Sequence, residues 1–233
     1  MTSASPGAWS TRLSRLDEVT DPGGPVVVVS AHPDDEVLAV GGWLADQVGR
    51  ELRFVVATDG EASHPGSPTT PPGVLRIRRR QELADALAVL GHPAADVTHL
   101  ALRDGSLPDD GADLAARLTP LLAEAAVVLA PYEHDGHADH DVVGRVVRAV
   151  APADAVVWRF PIWRWEWTRP TDDEWLDAGA TLPVSELGRA RKARAIREFT
   201  TQVAPLSDHP ADAAVVPASL IDHVLTEPEV VVR

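Results

Sequence analysis

The feature that most constrains this chain is an alternation of short, valine-rich apolar runs with longer stretches in which Ala and Leu recur at helical spacing. Runs at 26–30, 52–57, 97–102, 126–130 and 155–160 have the length and composition of strands. Stretches at 36–48, 75–90, 112–125, 140–150 and 186–199 carry the helical period, and Gly49, Gly91, Pro93 and Pro152 mark their stops. Parallel strands need a crossover to return the chain to the same end of the sheet, and a helix is the usual one. The expected fold is therefore α/β and Rossmann-like, a mainly parallel sheet flanked by helices. With 233 residues, 45% of them apolar, the chain can bury the core of one such domain. The expected organisation is a single domain over 1–233, with 1–20 as an N-terminal extension. Residues 161–233 are read as a Trp-rich strand and a C-terminal helical region packed on the same domain.

Charge and composition remove several classes of function. A net charge of −14 disfavours nucleic acid and anionic membrane surfaces, which are bound through clustered Lys and Arg. No run of eighteen apolar residues exists, and Met1-Thr2-Ser3-Ala4-Ser5-Pro6 lacks the basic and apolar regions of a signal peptide, so the expectation is no membrane partner and a cytoplasmic location. The absence of cysteine rules out disulfides, thiolate nucleophiles and Cys-ligated zinc, so any metal must be held by nitrogen and oxygen.

In an open α/β sheet, ligands bind outside the carboxyl ends of the strands. Two clusters of imidazole and carboxylate stand at such ends. Ala31-His32-Pro33-Asp34-Asp35-Glu36 follows the first strand, and His134-Asp135-Gly136-His137-Ala138-Asp139-His140 follows the fourth. His32 and Asp35 are three apart in a turn, and Pro33 restricts the backbone of His32. Adjacent acids repel one another unless a cation or a helix N-terminus offsets them. Two such loops can converge on one divalent ion. Of His137 and His140, one can ligate while the other acts. A His, a carboxylate and a His match the donor sets of catalytic zinc and also suit iron(II) or another divalent ion. This spacing points to metal-assisted hydrolysis with Asp34 as general base.

The string 31–36, the following Gly41-Gly42, and Asp135-Gly136-His137-Ala138-Asp139-His140 with Gly144 resemble the PIG-L/LmbE family of zinc-dependent N-acetylglucosaminyl deacetylases. Thr58-Asp59-Gly60-Glu61, Arg79 with Glu82, Leu90-Gly91, and Asp104-Gly105 with Leu107 resemble its intermediate landmarks. The resemblance implies hydrolysis of an acetamide on a small-molecule amino sugar or glycoconjugate. It implies Zn2+ ligands at His32, Asp35 and His140, and Asp34 as the base that serves a zinc-activated water and then protonates the amine. It further implies His137 as oxyanion stabiliser, Asp139 as the acid that orients and tunes His137, and Glu61, Arg79 and Asp104 as contacts to the sugar. Asp135 stands two residues before His137, where members acting in mycothiol synthesis tend to carry tyrosine, which weighs against a mycothiol-type substrate.

Four of the seven tryptophans fall within 158–167. As an extended strand, that segment would put Trp163, Trp165 and Trp167 on one face, either as a platform for a sugar or aglycone ring, or as cover for a sheet edge or subunit contact in a homo-oligomer. The sequence favours the second by a small margin. The basic run Arg189 to Arg197 reads as a solvated or internally paired helix face. Alternatives to the deacetylase are an amidase for a larger acyl group and a metal-stabilised sugar-binding module without turnover. Asp34 argues against the module, since binding needs ligands but no base.

Overall fold

The computed structural model describes residues 9–172 and 174–233. Five strands, β1 (Val26–Ser30), β2 (Leu52–Thr58), β3 (Asp96–Leu102), β4 (Val127–Pro131) and β5 (Val156–Phe160), are parallel. Two short strands, β6 (Gly179–Thr181) and β7 (Val230–Val232), extend the sheet, and β7 runs antiparallel to both β5 and β6. The order across the sheet is β3-β2-β1-β4-β5-β7-β6. The Rossmann-like α/β expectation is met.

Strand alternation explains why helices cover both faces. In β1, Val26 and Val28 join one core, while Val27 and Val29 join the other. The second core is closed by α4 (Leu107–Leu122), through Leu114, Leu118 and Leu122, and by α5 (Ala138–Val150), through Val143 and Val147. The first is closed by α2 (Asp35–Asp46), α3 (Pro72–Leu90), α7 (Glu186–Ala195) and α9 (Ala218–Thr226). Between them lie the short helices α6 (Arg164–Trp167) and α8 (Thr200–Val203), and α1 (Ser10–Leu13) precedes the sheet. No described helix is long and apolar enough to cross a membrane.

Chain direction across the sheet reverses beside β1: the chain moves outward through β2 and β3, then returns to β4 on the other side. The crevice outside the carboxyl ends of β1 and β4 is thus the switch point at which such sheets bind ligands. Both histidine-acid clusters begin there. Gly144 lets α5 reach it closely, since a Cβ at that position would lie 2.4 Å from the Pro131 carbonyl oxygen.

Three expectations need correction. The segment expected as a Trp-rich strand is the helix α6, so Trp163 and Trp167 share one face while Trp165 points to the other and is buried. The cause is remote in sequence: the Asp135 carboxylate accepts the N–H groups of Ile162, Trp163 and Arg164, 2.8, 3.1 and 3.0 Å away, as a cap does for a helical turn. The stretch 186–199 is not one helix, because α7 ends at Ala195 and a 3-10 turn, Ile196–Glu198, follows. Finally, α4 starts at Leu107, five residues before the expected 112, with Pro108 in its first turn.

Of the expected N-terminal extension, residues 1–8 lie outside the described ones. Trp9 and Leu13 are buried, and Trp9 meets Trp165 and Trp175 edge-on at 5.2 and 6.1 Å. The C-terminal region is fastened to α2. Helical geometry breaks at Val40, and the freed N–H groups of Gly42 and Trp43 donate to the Glu229 carboxylate at 2.7 and 2.9 Å. Lys192 Nζ lies 2.7 Å from the same carboxylate and donates to the Ala39 carbonyl.

Candidate active site and metal centre

The turn after β1 is fixed by Asp35. Its Oδ2 accepts the N–H groups of Ala31 and His32, each at 2.9 Å, which leaves Oδ1 facing His140 Nε2 at 3.3 Å. His32 Nδ1 lies 3.3 Å from His140 Nε2 and 3.7 Å from Asp35 Oδ2. The second nitrogen of each imidazole meets an acid: His140 Nδ1 stands 2.8 Å from Asp135 and His32 Nε2 3.1 Å from Asp104. A carboxylate can only accept, so those nitrogens carry the protons and His32 Nδ1 and His140 Nε2 are left with lone pairs.

Two lone pairs therefore face each other with the Asp35 carboxylate against both, and only a cation or a proton reconciles them. A tetrahedral ion with bonds of about 2.0–2.2 Å holds its donors about 3.3–3.6 Å apart; His32 Nδ1 and His140 Nε2 have that spacing, and the Asp35 carboxylate approaches them with different oxygens, Oδ1 at 3.3 Å from His140 and Oδ2 at 3.7 Å from His32. The titration behaviour has the same sign. Burial opposes charge on His140, yet the Asp35 charge and the Asp135 hydrogen bond raise its pKa to about 9. Burial likewise opposes charge on His32, and Asp104, Asp139 and Asp35 raise it well above its ordinary value. Among the described residues, single donor atoms gather within 4.8 Å of one another in two groups, both containing His32, one with His137 and His140 and one with Asp104 and Asp139. The second uses Nε2, the nitrogen that donates to Asp104, so we favour the Nδ1 side, where Asp35 and His140 converge.

Asp34 is buried beside this cluster, and Arg79 Nη2 lies 3.0 Å from its Oδ1. Burial raises its pKa to about 6, with Arg79 opposing and Asp35 adding to the shift. Glu36 is buried too. It accepts from the Ser30 hydroxyl, and burial pushes it up to about 8, so it is a neutral acid at pH 7. His137 Nδ1 is buried without a hydrogen-bond partner, and burial together with the charges of His140 and His32 lowers its pKa to about 4. His134, by contrast, is exposed, with its ring edge-on to Tyr132 at 5.5 Å.

A cavity of about 280 Å³ opens over these groups. Its polar wall includes His32, Asp34, Arg79, Asp104, His137 and Gln202, and its apolar wall is formed by Leu38, Ile162, Trp163, Val215 and Val216. The sequence-predicted residues His32, Asp34, Asp35, Asp104, His137 and Arg79 all line it. Glu61 does not: it accepts from the Asp104 N–H at 3.4 Å and pairs with Arg76 at 3.2 Å, behind the wall. Arg79 faces the cavity but is 3% exposed, and donates to the carbonyls of Gly60 and Pro33 as well as pairing with Asp34. Asp104 is aimed at His32, and its other oxygen accepts the Ala62 N–H at 2.7 Å.

The support expected from Asp139 for His137 has no hydrogen bond behind it. Asp139 accepts from the N–H groups of Gly105 and Leu107 at 2.8 and 3.2 Å and lies 3.4 Å from His32 Nε2. Asp139 thus braces the 104–107 turn and His32. The acid that does orient His140 is Asp135, a member of the second cluster to which the sequence assigns no role beyond its departure from tyrosine. Ile162, Gln202, Val215 and Val216 also line the cavity and come from outside the two histidine-acid loops, so no motif in the sequence points to them.

The family model of PIG-L, GlcNAc-PI de-N-acetylase, matches residues 27–151, more than half of the chain. Among curated proteins, the 1D-myo-inositol 2-acetamido-2-deoxy-alpha-D-glucopyranoside deacetylases of two Mycobacterium strains, KMS and JLS, are 34% identical over 169 residues, covering 60% of this chain and 53% of theirs. The chain spans about half the length of the curated relatives it matches. Among solved structures, the A40926 pseudoaglycone deacetylase Dbv21 superposes with a TM-score of 0.64 at 23% identity, covering 89% of this chain and 96% of that one. The N,N'-diacetylchitobiose deacetylase from Pyrococcus horikoshii gives a TM-score of 0.58 at 19% identity, covering 82% and 76%. At those identities the superpositions establish a shared fold.

Proposed function

The chain belongs to the PIG-L family, and on that premise we propose that it is a metal-dependent hydrolase removing the acetyl group from an N-acetylated amino sugar or glycoconjugate. The observation that carries the reading is the pairing of His32 Nδ1 with His140 Nε2 at 3.3 Å, with the Asp35 carboxylate against both and the buried Asp34 beside them. His32, Asp35 and His140 would hold the ion, with Zn2+ the first choice for a nitrogen-oxygen donor set and iron(II) the second. Bound there, a divalent ion supplies Lewis acidity, polarising the amide carbonyl and making water a competent nucleophile near neutral pH.

The protein's own groups do the rest. Asp34, with a pKa of about 6, is largely ionised at pH 7 yet basic enough to take a proton from the attacking water and return it to the leaving amine. Arg79 fixes the carboxylate in place by its contact to Oδ1. His137 is neutral at pH 7 and offers an N–H to the negative charge that develops on the carbonyl oxygen. Asp104, Asp135 and Asp139 hold the imidazoles and surrounding turns in register.

The Mycobacterium relatives are deacetylases of a 2-acetamido-2-deoxy glucopyranoside, and a cavity of about 280 Å³ favours an acetyl group over a long acyl chain. The test is release of acetate and free amine from a panel of N-acetylglucosaminides, before and after chelation and with zinc returned. Chelator-sensitive release restored by zinc is the expected result. Asp34→Asn should keep the metal and lose most turnover, whereas His32→Ala should lose both. Retained turnover in Asp34→Asn removes the base assignment, and full activity after exhaustive chelation removes the metal.

A further inference from the structure

Because 163–167 is helical, Trp163 and Trp167 are one turn apart and lie face to face, centroids 5.1 Å apart and planes 17° from parallel. Trp163 in turn lies 23° from parallel to the His137 ring, at 6.5 Å. These three rings form a ladder from the proposed reaction centre to the surface. Its inner rung belongs to the site, since both His137 and Trp163 line the cavity. Its outer rung is open: Trp167 is 45% exposed, whereas the other six tryptophans are buried or half-buried.

An indole held open to water needs an explanation, because the same ring in a core would bury a large apolar area. Trp165, two residues away, does that, packing on Trp9, Trp175 and His223. Trp167 is also held firmly. Beyond the Trp163 stack, it lies against Gly136, where a Cβ would stand 2.9 Å from the indole. Gly136 is the residue before His137, and Asp135 anchors the start of α6, so the tryptophans are fixed to the loop that carries the catalytic candidates.

The cavity itself is small. At about 280 Å³ it lies just below the range of about 300–1,000 Å³ typical of sites for drug-sized ligands. With an acetamide beside Asp34 and His137, one sugar ring fills most of that space, and Trp163, a cavity wall stacked on the exposed Trp167, carries that wall outward to the surface. We propose that Trp163 and Trp167 form an aglycone subsite that stacks a second ring, aromatic or sugar, joined to the N-acetylated sugar. This deepens the reading above and rests on it for the orientation of the substrate. Flat faces favour ring-bearing conjugates over small alkyl glycosides, since offset stacking rewards an opposed ring and a methyl group offers none. Of the two readings the sequence offers for these tryptophans, a ring platform and cover for a sheet edge or subunit contact, the helical pair is thus assigned to the first.

The experiment is calorimetric titration of zinc-supplied Asp34→Asn protein, so that turnover does not enter, with methyl N-acetyl-β-D-glucosaminide, 4-nitrophenyl N-acetyl-β-D-glucosaminide and N,N'-diacetylchitobiose. We expect at least one ring-bearing ligand to bind about tenfold more tightly than the methyl glycoside, the nitrophenyl and chitobiose arms telling aromatic from sugar preference. Adding Trp167→Ala should shrink that ratio to about twofold, and Trp167→Phe should restore most of it. Equal binding of all three ligands, no binding of any, or a ratio unchanged by Trp167→Ala overturns the subsite. So does a Trp167→Ala protein that changes oligomeric state and keeps its ligand preference, which would make the ladder a subunit contact. Failure of the reaction reads differently: wild-type protein would release no acetate while the Trp167-dependent preference remained.

Discussion

Asp135 ties His140 to the tryptophan helix: its Oδ2 stands 2.8 Å from His140 Nδ1, while the same carboxylate accepts three successive N–H groups at 162–164. One buried acid thereby sets both the direction of a proposed metal ligand and the position of the apolar wall. Asp135→Asn keeps the size but replaces one acceptor oxygen by a donor, so the amide cannot serve His140 and all three N–H groups. Partners of ligating imidazoles typically affect metal affinity about 10–100-fold. We expect a zinc affinity lower by that factor in competition with a chromogenic chelator, and a loss of about 2 kcal/mol in stability from the orphaned N–H groups. Unchanged affinity would show that His140 needs no orienting partner.

Arg79 offers a direct choice between two roles. A sugar contact, the role implied by resemblance, predicts that its loss raises KM with little change in kcat. The observed guanidinium, 3% exposed and 3.0 Å from Asp34, predicts the opposite. In Arg79→Met, Asp34 loses its counter-charge and its fixed position, and general-base contributions are worth about 10²–10⁴ in rate. We expect kcat to fall about 100-fold with KM within about threefold of wild type. A raised KM at normal kcat would return Arg79 to the sugar.

What the sequence made legible was local. Valine runs and helical periods disclosed β1 to β5 and their helices, because each strand carries its own apolar signal on both faces. His32, Asp35 and His140 were legible because each loop is contiguous and the switch point joins them. The tryptophan helix was not, since its capping carboxylate comes from Asp135, 27 to 29 residues away. At 163–167 an alternating pattern and a one-turn helix use the same tryptophans, and only the remote acceptor decides between them. Strands β6 and β7 are three residues each and exist by pairing with one another and with β5, which no local pattern announces. The Asp139 carboxylate meets the 104–107 turn and His32, which its adjacency to His137 does not announce, because adjacency in sequence says nothing of the side-chain direction on the first turn of α5.

The Lys192–Glu229 pair is the second place where distant segments meet, and both side chains are buried. Glu229 also accepts the two N–H groups freed at the break in α2, the helix that begins with Asp35. Removing one member of a buried pair leaves an uncompensated charge and costs about 3–5 kcal/mol. Lys192→Met should therefore lower stability by that amount in urea titration. Adding Glu229→Gln removes the stranded charge while keeping an acceptor for Gly42, so the double variant should be less destabilised than the sum of the singles, by more than about 1 kcal/mol. Additive losses would mean that the two groups do not interact energetically.

Acid should weaken the fold through Asp59. Burial alone raises the pKa of this carboxyl, but His99, 3.1 Å away, and Arg80, which donates two hydrogen bonds at 2.8 and 2.7 Å, hold it at about 2 against an ordinary 3.8. A folded-state pKa below the unfolded one means that the unfolded chain takes up the proton first. The stabilisation is then complete above about pH 4–5 and is lost as pH falls through 3.8 toward 2. The shift corresponds to about 2 kcal/mol at most, less what solvent at the half-exposed Arg80 screens. In Asp59→Asn that contribution is absent at every pH. Urea titrations of both proteins from pH 6 to pH 2.5 should show wild type ahead by about 1–2 kcal/mol at pH 6, the gap closing as the pH drops below 4. A gap of constant size over that range would assign the loss to packing of the amide and not to the ionised carboxylate.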